Sequence, residues 1–455
     1  MSVRKSSSIL CFLISILHAR LKKKLLTLAL TLTFFSCTTF ATQLLNIHHW
    51  TLHNKTRVFF VRRTELPMLD IELVFAAGSA RDGDQPGAAA LTNAMIGEGA
   101  QNLSTDTIAE NFAVNGAQFQ PFMNRDMAGV MLRTLSDAKY LTPALQNFKT
   151  VISTPTFPEA ELNRVKQQCI AQLKSQAQDP SQVASNRFYQ LLYQHHFYAH
   201  NPLGNTESLN AIKQAQLIDF YKKYYTSENA DLILVGDITE LQAKKIAEEV
   251  AGNLPSGTEA IPLSVAENIK NPAVNDITFP STQSTLMIGQ VGITRENPDY
   301  FPLLLGNAVL GGLPMTSILY DEIREKRGLA YVVESDFNPL QYRGPFMIYL
   351  QTKSSTVSTA DDLAKAVLKK FIQEGPTESQ LNAAKKNMIA SLPLSLSSNH
   401  SILGLLTNIA FYHRPLNYLD TYQSKVDAVT TDQVKKAFQK NIDVDRLVTV
   451  VVGNK

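Results

Sequence analysis

The chain has 455 residues, 44% of them hydrophobic and 18% charged, which is too long for one small module and too apolar for global disorder. Six of its 43 basic residues and none of its 40 acidic ones fall within the first 41 positions. The remainder is slightly acidic, so its charge gives no reason to expect nucleic acid as a partner.

Lys22 to Lys24 immediately precede the apolar run Leu25 to Phe35, and small residues follow up to Ala41. This order describes an export signal over residues 1–41 and a periplasmic or secreted mature chain. Lipid attachment at Cys37 and a retained N-terminal anchor are the alternatives. No later segment offers 18 consecutive apolar residues, so no transmembrane segment is expected in the mature body. Cys11 and Cys37 lie inside the signal, which leaves Cys169 as the one mature thiol and removes thiol-based zinc sites and an internal disulfide. Cys169 shares a helix face with Val165, Ile170 and Leu173, the pattern of buried packing rather than of a nucleophile.

Further along, residues 57–61 and 69–75 alternate or run apolar as strands do, 88–95 and 107–114 have helical spacing, and 129–134 returns to strand. A helical segment spans 141–152, and Asp231 to Gly236 reads as a strand. The second half repeats the design with strands at 284–290 and 346–351, helices at 302–310 and 360–372, and a closing strand up to Gly453. The duplication is visible in the letters. Glu161-Leu-Asn-Arg-Val-Lys-Gln-Gln-Cys-Ile-Ala-Gln-Leu173 lines up with Gln380-Leu-Asn-Ala-Ala-Lys-Lys-Asn-Met-Ile-Ala-Ser-Leu392, 219 residues on (161 to 380), with Leu, Asn, Lys, Ile, Ala and Leu in register. Strands and helices mix without strict alternation, so the expected class is α+β: two homologous sandwich domains, each a mixed sheet covered by helices. Pro and Gly punctuate Gly252 to Pro262, which places the join there. The expected domains are 42–255 and 271–455 around a linker at 256–270.

Four segments then carry a resemblance: Gly78-Ser-Ala-Arg-Asp82, Gly87-Ala-Ala-Ala-Leu-Thr-Asn-Ala-Met95 with Gly97-Glu-Gly99, Gly311-Gly312 with Leu319, and Arg324-Glu-Lys-Arg-Gly-Leu-Ala-Tyr331. In this order they resemble the M16 family of insulinase or pitrilysin-type zinc peptidases, over nearly all of residues 45–455. The likeness implies two homologous domains per chain and chains that work in pairs around a chamber.

Active members of that family carry His-x-x-Glu-His, two imidazoles on one helix face with a general base between them. The resemblance lays Ala90 and Ala94 on the histidines, Asn93 on the base, and Cys169, beside Gln168, near the third ligand. Alanine has no donor atom, so no cofactor is expected on this chain and zinc is expected in a partner subunit. The resemblance further implies that Arg327 and Tyr331 are the residues that reach substrate in trans, a guanidinium for a carbonyl or carboxylate and a phenol for an oxyanion. Their spacing suits projection from one helical turn or its C-terminal end. The alternative is a solvated face of Arg324, Lys326 and Arg327 with Tyr331 half-buried.

Other features stay open at this level. His195, His196 and His200 precede Pro202 and Gly204 in a turn, with no carboxylate between them, and His48, His49 and His53 flank the first strand as solvated residues. Leu313, Pro314 and Met315 stiffen a loop that the family often makes glycine-rich, or simply form a different turn. Residues 117–122, with Pro121 between Phe119 and Phe122, are a peptide-receiving edge strand or plain packing. The expected function is a non-catalytic, substrate-positioning subunit of a heterodimeric peptidase, with a homologous His-x-x-Glu-His chain and peptide substrate as partners. A proteolytically inactive binding or assembly scaffold is the alternative.

Overall fold

The computed structural model describes residues 44–454; the expected signal at 1–41, with Cys11 and Cys37, lies outside them. The first sheet comprises β1 (His48–Thr51), β2 (Arg57–Arg62), β3 (Met68–Phe75), β4 (Gln118–Met123), β5 (Ala128–Leu135) and β6 (Ala230–Gly236), in the spatial order β1-β2-β6-β3-β5-β4. Only β2 and β6 pair in parallel. Helices α1 (Ala88–Ala94), α2 (Thr105–Ala113), α3 (Ala138–Ser153), α4 (Glu159–Gln176), α5 (Pro180–Tyr193), α6 (Thr206–Ala211), α7 (Gln214–Tyr224) and α8 (Glu240–Ala251) belong to the same half of the chain.

The second sheet comprises β7 (Ala273–Thr278), β8 (Gln283–Val291), β9 (Ala330–Phe337), β10 (Pro345–Lys353) and β11 (Val448–Gly453), in the order β7-β11-β8-β10-β9. Its helices are α9 (Tyr300–Asn307), α10 (Val357–Glu374), α11 (Glu378–Ser395), α12 (Asn399–Phe411), α13 (Tyr418–Asp427) and α14 (Thr431–Asn441). The expected α+β class with two helix-covered mixed sheets is what the chain forms. The helix expected at 302–310 is shorter, because the chain passes after Asn307 into a π-helical turn over Ala308–Gly312.

Each sheet has two faces to cover, and the two halves cover each other's. On β3, Leu69, Ile71, Leu73 and Phe75 face the first half's own helices, while Val74 points to the opposite side. That opposite face, with Phe59, Val61, Ile233 and Val235, is closed by Ile402, Leu403, Leu406 and Ile409 of α12, a helix of the second half. Reciprocally, Phe188 and Leu192 of α5 close Val448, Val450 and Val452 of the second sheet. The exchanged helices begin at Pro180 and Asn399, the same spacing as the sequence repeat. Strand β6 is apolar without alternation because it is covered on both faces. A fully buried Phe such as Phe188 contributes about 2–3 kcal/mol through burial.

Two further ties bind the halves. Residues 256–270 form neither helix nor strand but are pinned along their length. Ala260 donates its N–H to Asn229 Oδ1 at 3.2 Å, Leu263 to the Tyr342 hydroxyl at 2.7 Å, and Arg343 donates to Ala266 O at 3.2 Å. Deeper in, the buried carboxylate of Asp126 accepts from the hydroxyls of Tyr198 and, at 2.9 Å, Tyr412, and from Gln341 N at 2.8 Å. Burial pushes its carboxyl up from the usual range, and the three donors oppose that shift.

Candidate functional site

Helix α1 starts where Gly87 takes φ +98°, with a would-be Cβ 2.8 Å from Leu203 O, so only glycine fits. Asp82 caps the turn, accepting from Gly87 N at 2.8 Å and Ala89 N at 2.7 Å, and its Oδ2 lies 2.9 Å from His200 Nε2. That contact gives His200 its role: it anchors the helix start. His196 Nε2 lies 2.8 Å from Ser264 O, so the i, i+4 histidines serve different partners. Of the histidines expected to be solvated, His49 and His53 are exposed and His48 is half-buried; His49 also lies 2.8 Å from Val58 O and stacks on Phe59 at 4.4 Å. His48 and His53 lie 3.2 and 3.3 Å from Glu240 and Glu248.

Along α1, Ala90 is buried, Ala94 half-buried, and Asn93 buried with its amide donating to Gly129 O at 3.0 Å and the Tyr225 hydroxyl at 3.2 Å. Helix α4 packs against α1 and holds Cys169 in the first half's core, where burial pushes the thiol pKa up. These residues do not fit a zinc ion. Two offer no donor atom, one is an amide already spent on the sheet, and the thiol is held protonated. Among the described residues no group of three or more His, Cys, Asp or Glu side chains converges to hold a metal. Strand β4 is the outermost strand on this side of the sheet, so the 117–122 segment is an edge, the one place where a sheet accepts Pro121 readily. Phe119 packs inward, stacked on Phe112 at 5.1 Å and lying against Gly97, where a Cβ would meet its ring at 2.9 Å.

The second candidate segment follows a π-helical turn over Tyr320–Glu325. Gly328, at φ +61°, turns the chain into β9. Arg327 sits at the helical end, where its Nη1 donates to Glu322 O at 2.6 Å and Oε2 at 2.7 Å. Tyr331 is not on that helical turn or its end, as its spacing suggests, but on β9. The pairing explains why: Ala330 opposes Thr352 and Val332 opposes Gln351, so Tyr331 is the extra residue of a β-bulge. The bulge turns it outward, and it is 66% exposed, not half-buried. Arg324 holds this geometry by donating to Tyr331 O at 2.5 Å, with its guanidinium 5.3 Å from the ring centroid. Behind β9, Asn307 donates to Ser335 O at 3.0 Å and Gly311 lies so close that a Cβ would sit 2.5 Å from Ser335 Oγ. Of the altered loop residues, Met315 takes φ +62° and stands 74% exposed.

Residues 58–207 match the family model of the insulinase group, peptidase family M16, and residues 211–388 match the model described as the peptidase M16 inactive domain. The solved M16 inactive-domain protein of Pseudomonas fluorescens is 40% identical and superposes with a TM-score of 0.86, covering 90% of this chain and 99% of its own. The chain belongs to the M16 peptidase family. Among curated M16 relatives, the non-peptidase homologue YmxG of Helicobacter pylori is 26% identical over 88% of this chain and 92% of its own. An uncharacterised zinc protease YmxG of Bacillus subtilis is 24% identical over 78% of this chain and 86% of its own. The periplasmic protease PqqL of Escherichia coli shares the fold at 17% identity and TM-score 0.73, this chain covering 46% of its length.

Three contacts around these elements were not read from the sequence. Arg164 of α4 bonds Glu98 in the Gly97-Glu-Gly99 turn and Glu161 at 2.7 Å. Lys166 reaches Ile212 O at the end of α6, and burial lowers its pKa. Glu72 lies beneath α12, hydrogen-bonded by the Thr407 hydroxyl at 3.0 Å, and burial pushes its pKa up to about 7. The one available signal was a Glu inside the apolar strand run Leu69 to Phe75, a position that takes an acid only with a partner from elsewhere in the fold.

Proposed function

We propose that this M16 chain is the non-catalytic, substrate-positioning subunit of a peptidase pair, exported by residues 1–41 and completed by a homologous partner that carries His-x-x-Glu-His and the zinc. Arg327 and Tyr331 contact the peptide held at the partner's site, the guanidinium on a carbonyl or carboxylate, the phenol on the oxyanion that forms when water attacks. The observation that carries the reading is the β-bulge that turns Tyr331 out of the sheet, while Ala90 and Ala94 of α1 offer no donor atom. A scaffold without a proteolytic role has its own support: Arg327 is bonded twice to Glu322 and must exchange those contacts to reach a substrate.

The test is affinity purification of the mature chain from its native envelope fraction, with mass spectrometry of partners and a zinc count. Recovery of a homologous His-x-x-Glu-His chain with about one zinc per pair, and peptide cleavage by that pair, is the expected result. A metal-free chain, alone or self-paired, overturns it in favour of the scaffold.

A further inference from the structure

Glu322 and Arg327 are five residues apart, and an ordinary α-helix would set their side chains about 140° from each other. The π-helical turn over Tyr320–Glu325 removes that offset. Its wider i to i+5 hydrogen bond, Lys326 N to Asp321 O at 3.0 Å, brings position 327 back over position 322, and the two contacts of Arg327 to Glu322 follow. Both come from one nitrogen. Nη1 donates to Glu322 O and to Oε2, so of the five N–H donors of the guanidinium, those on Nε and Nη2 make no hydrogen bond among the described residues.

The carboxylate has a second cation. Glu322 Oε1 accepts from Lys326 Nζ at 2.7 Å, one helical turn on, and the same ammonium reaches Asp321 Oδ2 at 2.7 Å. Lys326 and Arg327 together hold the Glu322 carboxyl below its usual range, so it is charged at neutral pH. The Arg327 and Glu322 side chains are 44% and 27% exposed, which keeps their ion pair weak enough to exchange. Glu322 and Lys326 also line a cavity of about 670 Å³ with Asp321, Lys370 and Glu374, room enough for water to take over Oε2 when a guanidinium leaves it.

We infer that Glu322 is a positioning residue, a releasable clasp that holds Arg327 in the free chain and hands it over to the carbonyl or carboxylate of a peptide. The inference rests on the reading of Arg327 as a substrate contact. Each side of the exchange keeps a partner. The free donors on Nε and Nη2 engage the incoming oxygen before Nη1 lets go, and Lys326 continues to neutralise Glu322 afterwards. Removing the charge of Glu322 loosens the clasp, whereas removing the charge of Lys326 leaves Arg327 as the carboxylate's one cation and tightens it. The two substitutions therefore act in opposite directions, a pattern that general damage to the turn does not give.

The probe is p-hydroxyphenylglyoxal, an arginine-selective reagent, applied to the intact mature chain with the modified sites read by mass spectrometry. Arg324, committed to Tyr331 O, is the internal reference. Modification of Arg327 relative to Arg324 is expected to be about 3-fold faster in Glu322→Gln and about 3-fold slower in Lys326→Met, the scale of one exposed ion pair. Glu325→Gln makes the same change of charge on the same turn at a side chain that accepts from the Tyr320 hydroxyl instead, and leaves the ratio unchanged. In the assembled pair, KM for peptide falls in Glu322→Gln and rises in Lys326→Met by similar factors, with kcat within about 2-fold. An unchanged ratio, a shift in the same direction in both variants, or an equal effect of Glu325→Gln overturns the clasp. Ratios that shift as expected while KM stays constant overturn the substrate contact of Arg327 on which the inference rests.

Discussion

The two halves of this chain are copies of one design that have been emptied at different places. The first has β1 and α8 in place and the start of α1 capped by Asp82, which His200 contacts, yet Ala90 and Ala94 of α1 offer no donor atom for a metal. The second turns Tyr331 outward on its bulge, and no described strand pairs with the outer edge of β7. The difference teaches that the fold of the first half does not depend on α1 holding a metal. What α1 must do for folding, it does through Gly87 and Asn93, residues with backbone and sheet partners. The exchanged helices α5 and α12 each complete a core on the other half's sheet.

The strongest way to break that comparison is to attack the exchange. Phe188→Ala leaves a cavity under α5 and costs about 3–5 kcal/mol, and denaturant unfolding followed by circular dichroism should remain a single transition for both halves. Separate transitions would show two independent domains. Next in size is Glu72, whose carboxyl is raised from 4.5 to about 7. The folded chain holds this proton more tightly than the unfolded chain, so its contribution is fully present below pH 4.5 and is lost as pH rises through 7. The loss amounts to about 3 kcal/mol. Melting temperature against pH should therefore fall between pH 5 and 7, and Glu72→Gln should flatten that slope and raise stability at pH 8. An unchanged slope in the variant would assign the pH dependence to other groups.

Tyr331→Phe sharpens the comparison from the other half. It should slow turnover by the assembled pair about 10²-fold, as loss of one oxyanion donor does, with complex formation and melting temperature unchanged. Equal turnover would remove Tyr331 from the site. The smallest expected effect is a gain of activity that does not come. Replacing Ala90 and Ala94 by His and Asn93 by Glu should give no zinc-dependent cleavage by the chain alone, because the resemblance lays the thiol of Cys169, and no carboxylate, near the third ligand. The new carboxylate also faces Gly129 O where an amide donated, at a cost of about 1–3 kcal/mol. Cleavage by that triple variant would contradict the fit of residues around α1.

Much of the fold was legible along the chain, and the reason is periodicity. Strand β3 reads as a strand because Leu69, Ile71, Leu73 and Phe75 recur every second residue, and α4 reads as a helix because Val165, Cys169, Ile170 and Leu173 recur at helical spacing. The duplication, the missing imidazoles and the Arg327 to Tyr331 segment are likewise properties of local order and residue type. Periodicity reports that a face is buried but not what covers it. The assignment of α5 to the second sheet and α12 to the first, the hydrogen bonds of Asp126, and the partner of Glu72 join residues hundreds of positions apart, such as Glu72 and Thr407. Tyr331 shows the same limit at short range. Its distance from Arg327 suits a helical turn, and only the pairing of β9 with β10, which leaves it unopposed, puts it on a bulge facing solvent. Local sequence determines which residues prefer to be buried and in what rhythm. Which surfaces meet, and therefore which side chains remain free to act, is decided by the packing of distant segments.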